Sequence, residues 1–263
     1  MSTTAFLSGQ TCAATAGEVC GGVSTFRQKV DWMRRWRGPR LEVLLRILVC
    51  LFLWLPVVGI AQMNRGWSKS PTIVVIAARL DDPRFAIVDA AIEYWNNQFK
   101  VLGLGFRLGE VSRVVLPIPE ESLRRFSEGT LPGAVSPIRE YPPDMLSLPG
   151  DLRIVLANGS FVSFATRFDA NGGRVVAIRD LTQQPFTAQN VALNLIAHEL
   201  GHAWGLGHNS QFGTLMCGRP AACRPVDFAS DVSRVFPLLA EEEVRMRELY
   251  PPSWQPTLPN PSR

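Results

Sequence analysis

The sequence of 263 residues predicts an α+β fold in which helices cover a mixed β-sheet. Three observations favour this fold class. Several runs rich in β-branched residues are typical of buried strands, and one long segment has apolar residues at helical spacing. A second apolar helical segment contains every histidine of the chain. No internal repeat is visible, and we place a single folded domain at residues 72–252, after a short linker at residues 62–71.

The domain is predicted to begin with a strand and a long helix. The run TIVVIAA, Thr72 to Ala78, has the composition of a buried strand. Asp82 can cap the helix that follows, and Pro83 suits its first turn. Apolar residues then recur on one helical face, at Phe85, Val88, Ile92, Trp95 and Phe99. We expect this helix to pack on the sheet.

Three more strands are predicted, at residues 105–117, 151–159 and 174–180. The first two are separated by a short surface helix, PEESLRRFSEG, and by an irregular proline-rich stretch at residues 131–149. The sequence DANGG predicts a turn before the last strand.

Two helices complete the predicted domain. The segment FTAQNVALNLIAHELGHAWGL, with Thr187 as its N-cap, predicts a buried helix that carries the histidines. After a long loop, residues 238–250 predict a last helix that ends before Pro251 and Pro252. Residues 253–263 form a proline-rich tail.

Residues 1–61 are predicted to be a basic leader with a signal peptide or signal anchor. Basic residues crowd before an uncharged apolar run, Ile47 to Ala61, which is short for a membrane span but fits a secretory segment. Small residues precede the bond from Ala61 to Gln62, as signal peptidase requires. A start at Met33 gives ordinary signal proportions. A start at Met1 allows residues 41–61 to remain as an anchor, with the domain outside the membrane.

Both alternatives export residues 62–263, to a secreted or periplasmic location. Lys and Arg exceed Asp and Glu by 27 to 23, but the excess lies in the leader, so the charge does not indicate nucleic-acid binding. Cys217 and Cys223, within CGRPAAC, are predicted to form a local disulfide in an oxidising compartment, with two unpaired buried thiols as the alternative.

All three histidines fall within LIAHELGHAWGLGHN, residues 195–209. His198 and His202 are four residues apart, so they share one face of a helix, and Glu199 stands beside the first of them. His208 would turn away in an unbroken helix, but Gly205 can adopt the left-handed conformation that ends helices and lets the chain turn back. Three neutral imidazoles with one open position are typical of a catalytic zinc site.

The run HELGHAWGLGH resembles the metzincin signature H-E-x-x-H-x-x-G-x-x-H, and GTLM, residues 213–216, is similar to the Met-turn that follows it. The short step from His208 to Met216 resembles the matrixins most. The resemblance implies a zincin-like twisted mixed sheet with a long backing helix, an active-site helix and a C-terminal helix. It covers nearly all of residues 72–252, and it places the strand at residues 174–180 at the sheet edge.

Carried over residue by residue, the resemblance implies that His198, His202 and His208 hold one zinc ion. Glu199 is implied as the catalytic residue, and Met216 as the base beneath the metal, with plain core packing as the alternative for Met216. The implied activity is that of a zinc-dependent endopeptidase, which hydrolyses peptide or protein substrates by zinc-activated water with Glu199 as general base and acid. We expect the exported chain to be a monomer. A zinc-dependent amidase acting on a small or cell-wall substrate, and a non-catalytic zinc-binding interaction domain, remain alternatives.

The chain also departs from the family pattern. Asn209 stands where many relatives have Asp or Ser, and no tyrosine is near the signature to donate to a transition state. Oxygens for a calcium ion could come from Asp169, Asn171 and Asp180, but an ordinary β-turn is the favoured interpretation of that segment. We expect no nucleic-acid partner, and membrane contact only through the N-terminal apolar segment.

Overall fold

The computed structural model describes residues 66–129, 143–168, 172–218, 222–223, 225–229 and 233–256. The predicted leader, residues 1–61, lies outside the described residues, as do Asp169 and Asn171 of the predicted DANGG turn. None of the helices in the described part combines the length and apolar character needed to cross a bilayer.

Five strands form one sheet in the order β2-β1-β3-β5-β4. Their bounds are β1 (Ile73–Ala77), β2 (Val111–Val115), β3 (Leu152–Leu156), β4 (Phe164–Arg167) and β5 (Arg174–Ile178). The first four strands in this order run parallel to one another, and the last strand, β4, is antiparallel to β5. Every residue of β1, β3 and β5 is buried, as expected for parallel strands that are covered on both faces. The predicted mixed sheet is confirmed.

The helices cover both faces of this sheet. They are α1 (Arg84–Val101), α2 (Glu120–Gly129), α3 (Pro143–Leu146), α4 (Gln189–Ala203) and α5 (Ala240–Leu249), with a 3₁₀ turn at Pro225–Phe228. Val75, Ile154 and Val176 belong to the core shared with α1 and α4, whereas their alternate neighbours face α2 and α3. The long backing helix, the histidine-bearing helix and the C-terminal helix are all confirmed.

Aromatic residues fix α4 against α1. The Trp95 indole Nε1–H of α1 donates to the Ala197 carbonyl of α4 at 3.0 Å. Trp204, the C-cap of α4, is fully buried against Phe99 and Phe106. The end of α4 that carries the histidines is therefore anchored in the core of the domain.

The prediction that residues 174–180 form an edge strand is wrong. A short strand that the sequence pattern did not reveal, β4, pairs with β5 and occupies that edge. The pairing extends beyond the two strands, since the Phe168 N–H donates to the Gly173 carbonyl at 2.9 Å. β5 is therefore internal, between β3 and β4.

Two element boundaries also differ from the prediction. Thr187 is not the N-cap of α4, because the helix begins at Gln189 with Ala188 as N-cap and no side-chain capping bond. Turns before it, with the Ala188 N–H donating to the Pro185 carbonyl, hold the chain outside the helix until that point. The second strand is confined to Val111–Val115, and residues 105–110 are irregular.

Candidate metal centre

The three histidines meet at the C-terminal end of α4. Nε2 of His202 lies 3.1 Å from Nε2 of His198 and 3.0 Å from Nε2 of His208. One nitrogen from each ring lies within 4.8 Å of the others, and no other His, Cys, Asp or Glu group among the described residues forms such a cluster. His198 is buried, His202 is half-buried and His208 is exposed, so the cluster opens to solvent on one side.

Backbone carbonyls orient two of the three rings. Nδ1 of His198 lies 2.6 Å from the Leu215 carbonyl, and Nδ1 of His202 lies 2.9 Å from the Leu206 carbonyl. A carbonyl can only accept, so each Nδ1 carries the proton, and each Nε2 presents a lone pair to the cluster. This is the arrangement that orients histidine ligands around a metal ion.

The donor set fits zinc. Ligands about 2.0–2.1 Å from a tetrahedral zinc ion are separated from one another by about 3.3 Å, close to the two distances from His202 Nε2 given above. Burial lowers the pKa of His198 to about 4 and that of His202 well below its usual value. Both rings are therefore neutral near pH 7, which is the form that binds a metal.

Gly205 makes the turn that returns His208 to the cluster. It has a φ of 101°, the left-handed region predicted for it. The Gly205 N–H donates to the His202 carbonyl at 3.0 Å, and the Leu206 N–H donates to the Gly201 carbonyl at 3.0 Å. Together these bonds end the helix and reverse the chain.

Met216 lies directly beneath α4. It is fully buried, and its sulfur contacts Gly201, where a side-chain Cβ would collide with it. The preceding residue, Leu215, supplies the carbonyl that orients His198. The predicted Met-turn segment is thus packed against α4 at Gly201, one residue before His202.

The segment after the Met-turn also contacts the cluster. Cys217 and Cys223 form the predicted disulfide. Gly218 faces the His208 ring so closely that an added Cβ would lie 2.5 Å from His208 Cδ2 and 2.7 Å from its Nε2. The sequence did not predict this contact with His208, because nothing in the local pattern around Gly218 indicates a neighbour ten residues earlier.

Glu199 is buried next to the first histidine, with only 6% of its surface exposed. Burial raises the pKa of its carboxyl to about 8. A divalent cation held by the adjacent imidazoles would oppose that shift, because a nearby positive charge favours the carboxylate. The residue is therefore placed to exchange a proton near neutral pH.

A second feature missed from the sequence clamps the end of α4. Arg174 is 1% exposed, and its guanidinium donates to the Ala203 carbonyl and lies 4.5 Å above the Trp67 ring. The Trp67 indole N–H donates to the same carbonyl at 2.8 Å, and the Tyr250 hydroxyl donates to the Trp204 carbonyl at 2.9 Å. A positive charge at a helix C-terminus is favourable, so the cluster stabilises the turn that carries His208.

A separate cavity of about 490 Å³ lies at the carboxyl ends of the parallel strands, beside the start of α4. None of the three histidines lines it. Polar side chains that line this cavity form hydrogen bonds with each other: the Arg84 guanidinium donates to Asp82, and the Thr182 hydroxyl donates to Asp180. The carboxylate of Asp180, one of the three residues considered for calcium, therefore accepts hydrogen bonds from Thr182 in a local turn.

Comparisons with known proteins assign no family. No family model matches the chain, and no curated protein matches it. Among solved structures, the archaemetzincin of Methanopyrus kandleri matches with a TM-score of 0.41 and 17% identity, over 69% of this chain and 96% of that chain. A likeness of this degree carries no assignment of activity.

Proposed function

We propose that this protein is a zinc-dependent endopeptidase of the metzincin type, similar to the matrixins in the short step from its third histidine to Met216. One observation carries the proposal. Three imidazole Nε2 atoms converge in a cluster that opens to solvent, and a buried glutamate, Glu199, directly follows the first of these histidines in the chain.

His198, His202 and His208 would hold one zinc ion. When bound, zinc supplies Lewis acidity, which polarises a carbonyl group and lowers the pKa of water. The chain keeps His198 and His202 neutral and orients both through the Leu215 and Leu206 carbonyls. Three protein ligands leave a coordination position open, as catalytic zinc sites require.

Glu199 is the proposed general base and acid. Its carboxylate takes a proton from the attacking water and returns it to the leaving nitrogen. Burial raises the pKa of this carboxyl in the metal-free chain, and a cation held by the histidines would lower it again. With no tyrosine near the signature, we assign no side-chain donor to the developing oxyanion beyond the metal site itself.

The edge strand β4 is the proposed binding site for an extended peptide. It stands last in the strand order of the described sheet, next to β5, and its four residues are half-buried, so it is the strand that an extended peptide can approach from outside the sheet. The helix α4 packs against this strand. Binding through the backbone predicts tolerance of varied side chains.

We further propose that residues 62–263 act outside the cytoplasm as a monomer, either secreted or anchored by residues 41–61. The disulfide between Cys217 and Cys223 supports an oxidising compartment, where such bonds persist. The substrate is a peptide or a protein, and no nucleic-acid partner is proposed.

The test is cleavage of a peptide library by the full chain, read by mass spectrometry. Wild type, Glu199→Gln and the control Glu93→Gln, which changes an exposed residue of α1, are compared at equal zinc content. We expect wild type and the control to cut alike, Glu199→Gln to be at least about 100-fold slower, and chelation to abolish cleavage.

Three results would contradict the proposal. Equal cleavage by Glu199→Gln removes the assigned role of that residue. Hydrolysis of small acyl amides without peptide cleavage favours the amidase. Tight zinc binding without any hydrolysis favours a non-catalytic zinc-binding domain.

A further inference from the structure

The residue that follows the third histidine is tied to the C-terminal helix. The Asn209 side-chain amide donates from Nδ2 to Glu242 Oε1 at 2.7 Å. Glu242 lies in the first turn of α5, 33 residues further along the chain. The bond therefore joins the loop that carries His208 to an element outside the histidine segment.

Asn209 also organises its own loop. Its Oδ1 accepts from the Gln211 N–H at 2.7 Å and from the Thr214 hydroxyl at 3.1 Å. Its backbone N–H donates to the Met216 carbonyl at 2.9 Å, and its carbonyl accepts from the Gly218 N–H at 3.1 Å. A single residue thus connects the third histidine, the Met-turn segment and α5.

Glu242 is held at the other end of this contact. Only 8% of its surface is exposed, and its second oxygen accepts from the Leu239 N–H at 2.9 Å. Within the described residues it has no ion-pair partner, so its negative charge is balanced by hydrogen-bond donors alone. A hydrogen bond to a carboxylate is stronger than one between neutral groups, and it gains further strength when it is shielded from water.

We propose that Glu242 is a positioning residue for the third metal ligand, acting through Asn209. His208 lies outside the helix, in the loop that follows the turn at Gly205, so its position depends on the loop rather than on helical geometry. Residues of this kind, one step removed from the metal, typically change metal affinity by about 10–100-fold when they are altered. This inference rests on the proposed metal site and adds a component of it that lies in α5.

A simpler role for Glu242 is the stabilisation of the start of α5 through Leu239. The two roles can be separated by exchanging the hydrogen-bond donor and acceptor between positions 209 and 242. Asn209→Asp sets two carboxyl groups against each other, whereas Asn209→Asp combined with Glu242→Gln restores one donor and one acceptor of nearly unchanged shape. Both residues line a cavity of about 520 Å³, so changes of their side chains can be accommodated without displacing core residues.

The experiment measures zinc affinity by chelator competition in the full chain. It compares wild type, Asn209→Asp, the double variant and the control Glu241→Gln, which removes an exposed charge from the same turn. Melting temperatures of the metal-free forms and the Co²⁺ absorption spectrum, which reports coordination geometry, are recorded beside it. We expect Asn209→Asp to bind zinc at least about tenfold more weakly with an altered Co²⁺ spectrum, and the double variant to recover to within about threefold of wild type.

Two outcomes would overturn the inference. If Asn209→Asp lowers only the melting temperature while zinc affinity and the Co²⁺ spectrum stay those of wild type, Glu242 serves the fold alone. If the double variant is no better than the single one, the contact does not position the ligand. Failure of wild type itself to bind zinc is a different result, because it rejects the proposed metal site.

Discussion

Replacing Gly218 by alanine should weaken zinc binding without unfolding the protein. The new Cβ would lie 2.5 Å from Cδ2 of His208, and ordinary contact begins at 3.4 Å. The His208 ring must therefore move by about 0.9 Å, whereas metal–ligand distances tolerate only about 0.2 Å. Because the ring is exposed, it can turn into solvent at small cost to the fold.

The expected loss of zinc affinity is at least about tenfold, or about 1.4 kcal/mol, since the third imidazole no longer reaches the cluster. The free energy of unfolding of the metal-free chain should change by less than about 0.5 kcal/mol, as for other surface substitutions. The matched control is Gly207→Ala in the same loop, where an added Cβ meets nothing within 4 Å.

The assay is competition for zinc with a chromophoric chelator, combined with thermal unfolding of the metal-free chain. The reasoning is refuted if Gly218→Ala binds zinc as tightly as wild type, or if Gly207→Ala is weakened to the same degree. A large loss of metal-free stability in Gly218→Ala alone would mean that the ring is held in place and that the clash acts on the fold instead.

Three further predictions concern stability. Gly201→Ala forces a Cβ against the Met216 sulfur, so it should lower the free energy of unfolding by about 1–3 kcal/mol, measurable by urea titration, and no change would contradict the tight packing described. Metal removal should lower the melting temperature, by the equivalent of about 4 kcal/mol at zinc concentrations 1,000 times the dissociation constant, and an unchanged value would argue against binding to the folded state. The metal-free chain should be most stable near pH 6.5. In the folded chain, burial lowers the pKa of His198 to about 4 and also lowers that of His202. As the pH falls below 6.5, these histidines therefore take up protons in the unfolded chain but stay neutral in the folded chain, so stability falls. As the pH rises from 6.5 to 8, folded Glu199, with its pKa raised to about 8, retains a proton that the unfolded carboxyl has already released, so stability falls again. A melting temperature that rises steadily through this range would contradict the assigned burial.

The histidine cluster was predictable because its geometry is local. The spacing of His198 and His202 follows from the helical repeat, and the turn at Gly205 follows from the conformations open to glycine. The backing helix and the three central strands were predictable for the same reason, since their apolar patterns are continuous and strong.

The edge of the sheet was not predictable from such patterns. β4 has only four residues, FATR, in a stretch with no clear alternation, and the identity of an edge strand depends on which strands pair. The strand predicted for the edge, at residues 174–180, has the stronger apolar run, but β4 pairs antiparallel with it and occupies the edge instead.

Contacts between distant residues were likewise hidden. Three contacts join segments that are far apart in the sequence, so no local pattern predicts them. They are the packing of Gly218 on His208, the hydrogen bond from Asn209 to Glu242 and the stacking of Arg174 on Trp67. Each of them supports the turn after α4, which indicates that the third histidine depends on the rest of the domain more than the signature suggests.

The most direct test of the account is zinc K-edge X-ray absorption of the full chain, together with its zinc content. We predict one zinc per chain, bound by three imidazole nitrogens at about 2.0–2.1 Å with a further light-atom ligand and no sulfur. Loss of the imidazole scattering in His202→Gln would confirm its source. Substoichiometric zinc, fewer than three imidazoles, or sulfur ligation from Cys217 or Cys223 would contradict the central claim that these three histidines form one catalytic metal site.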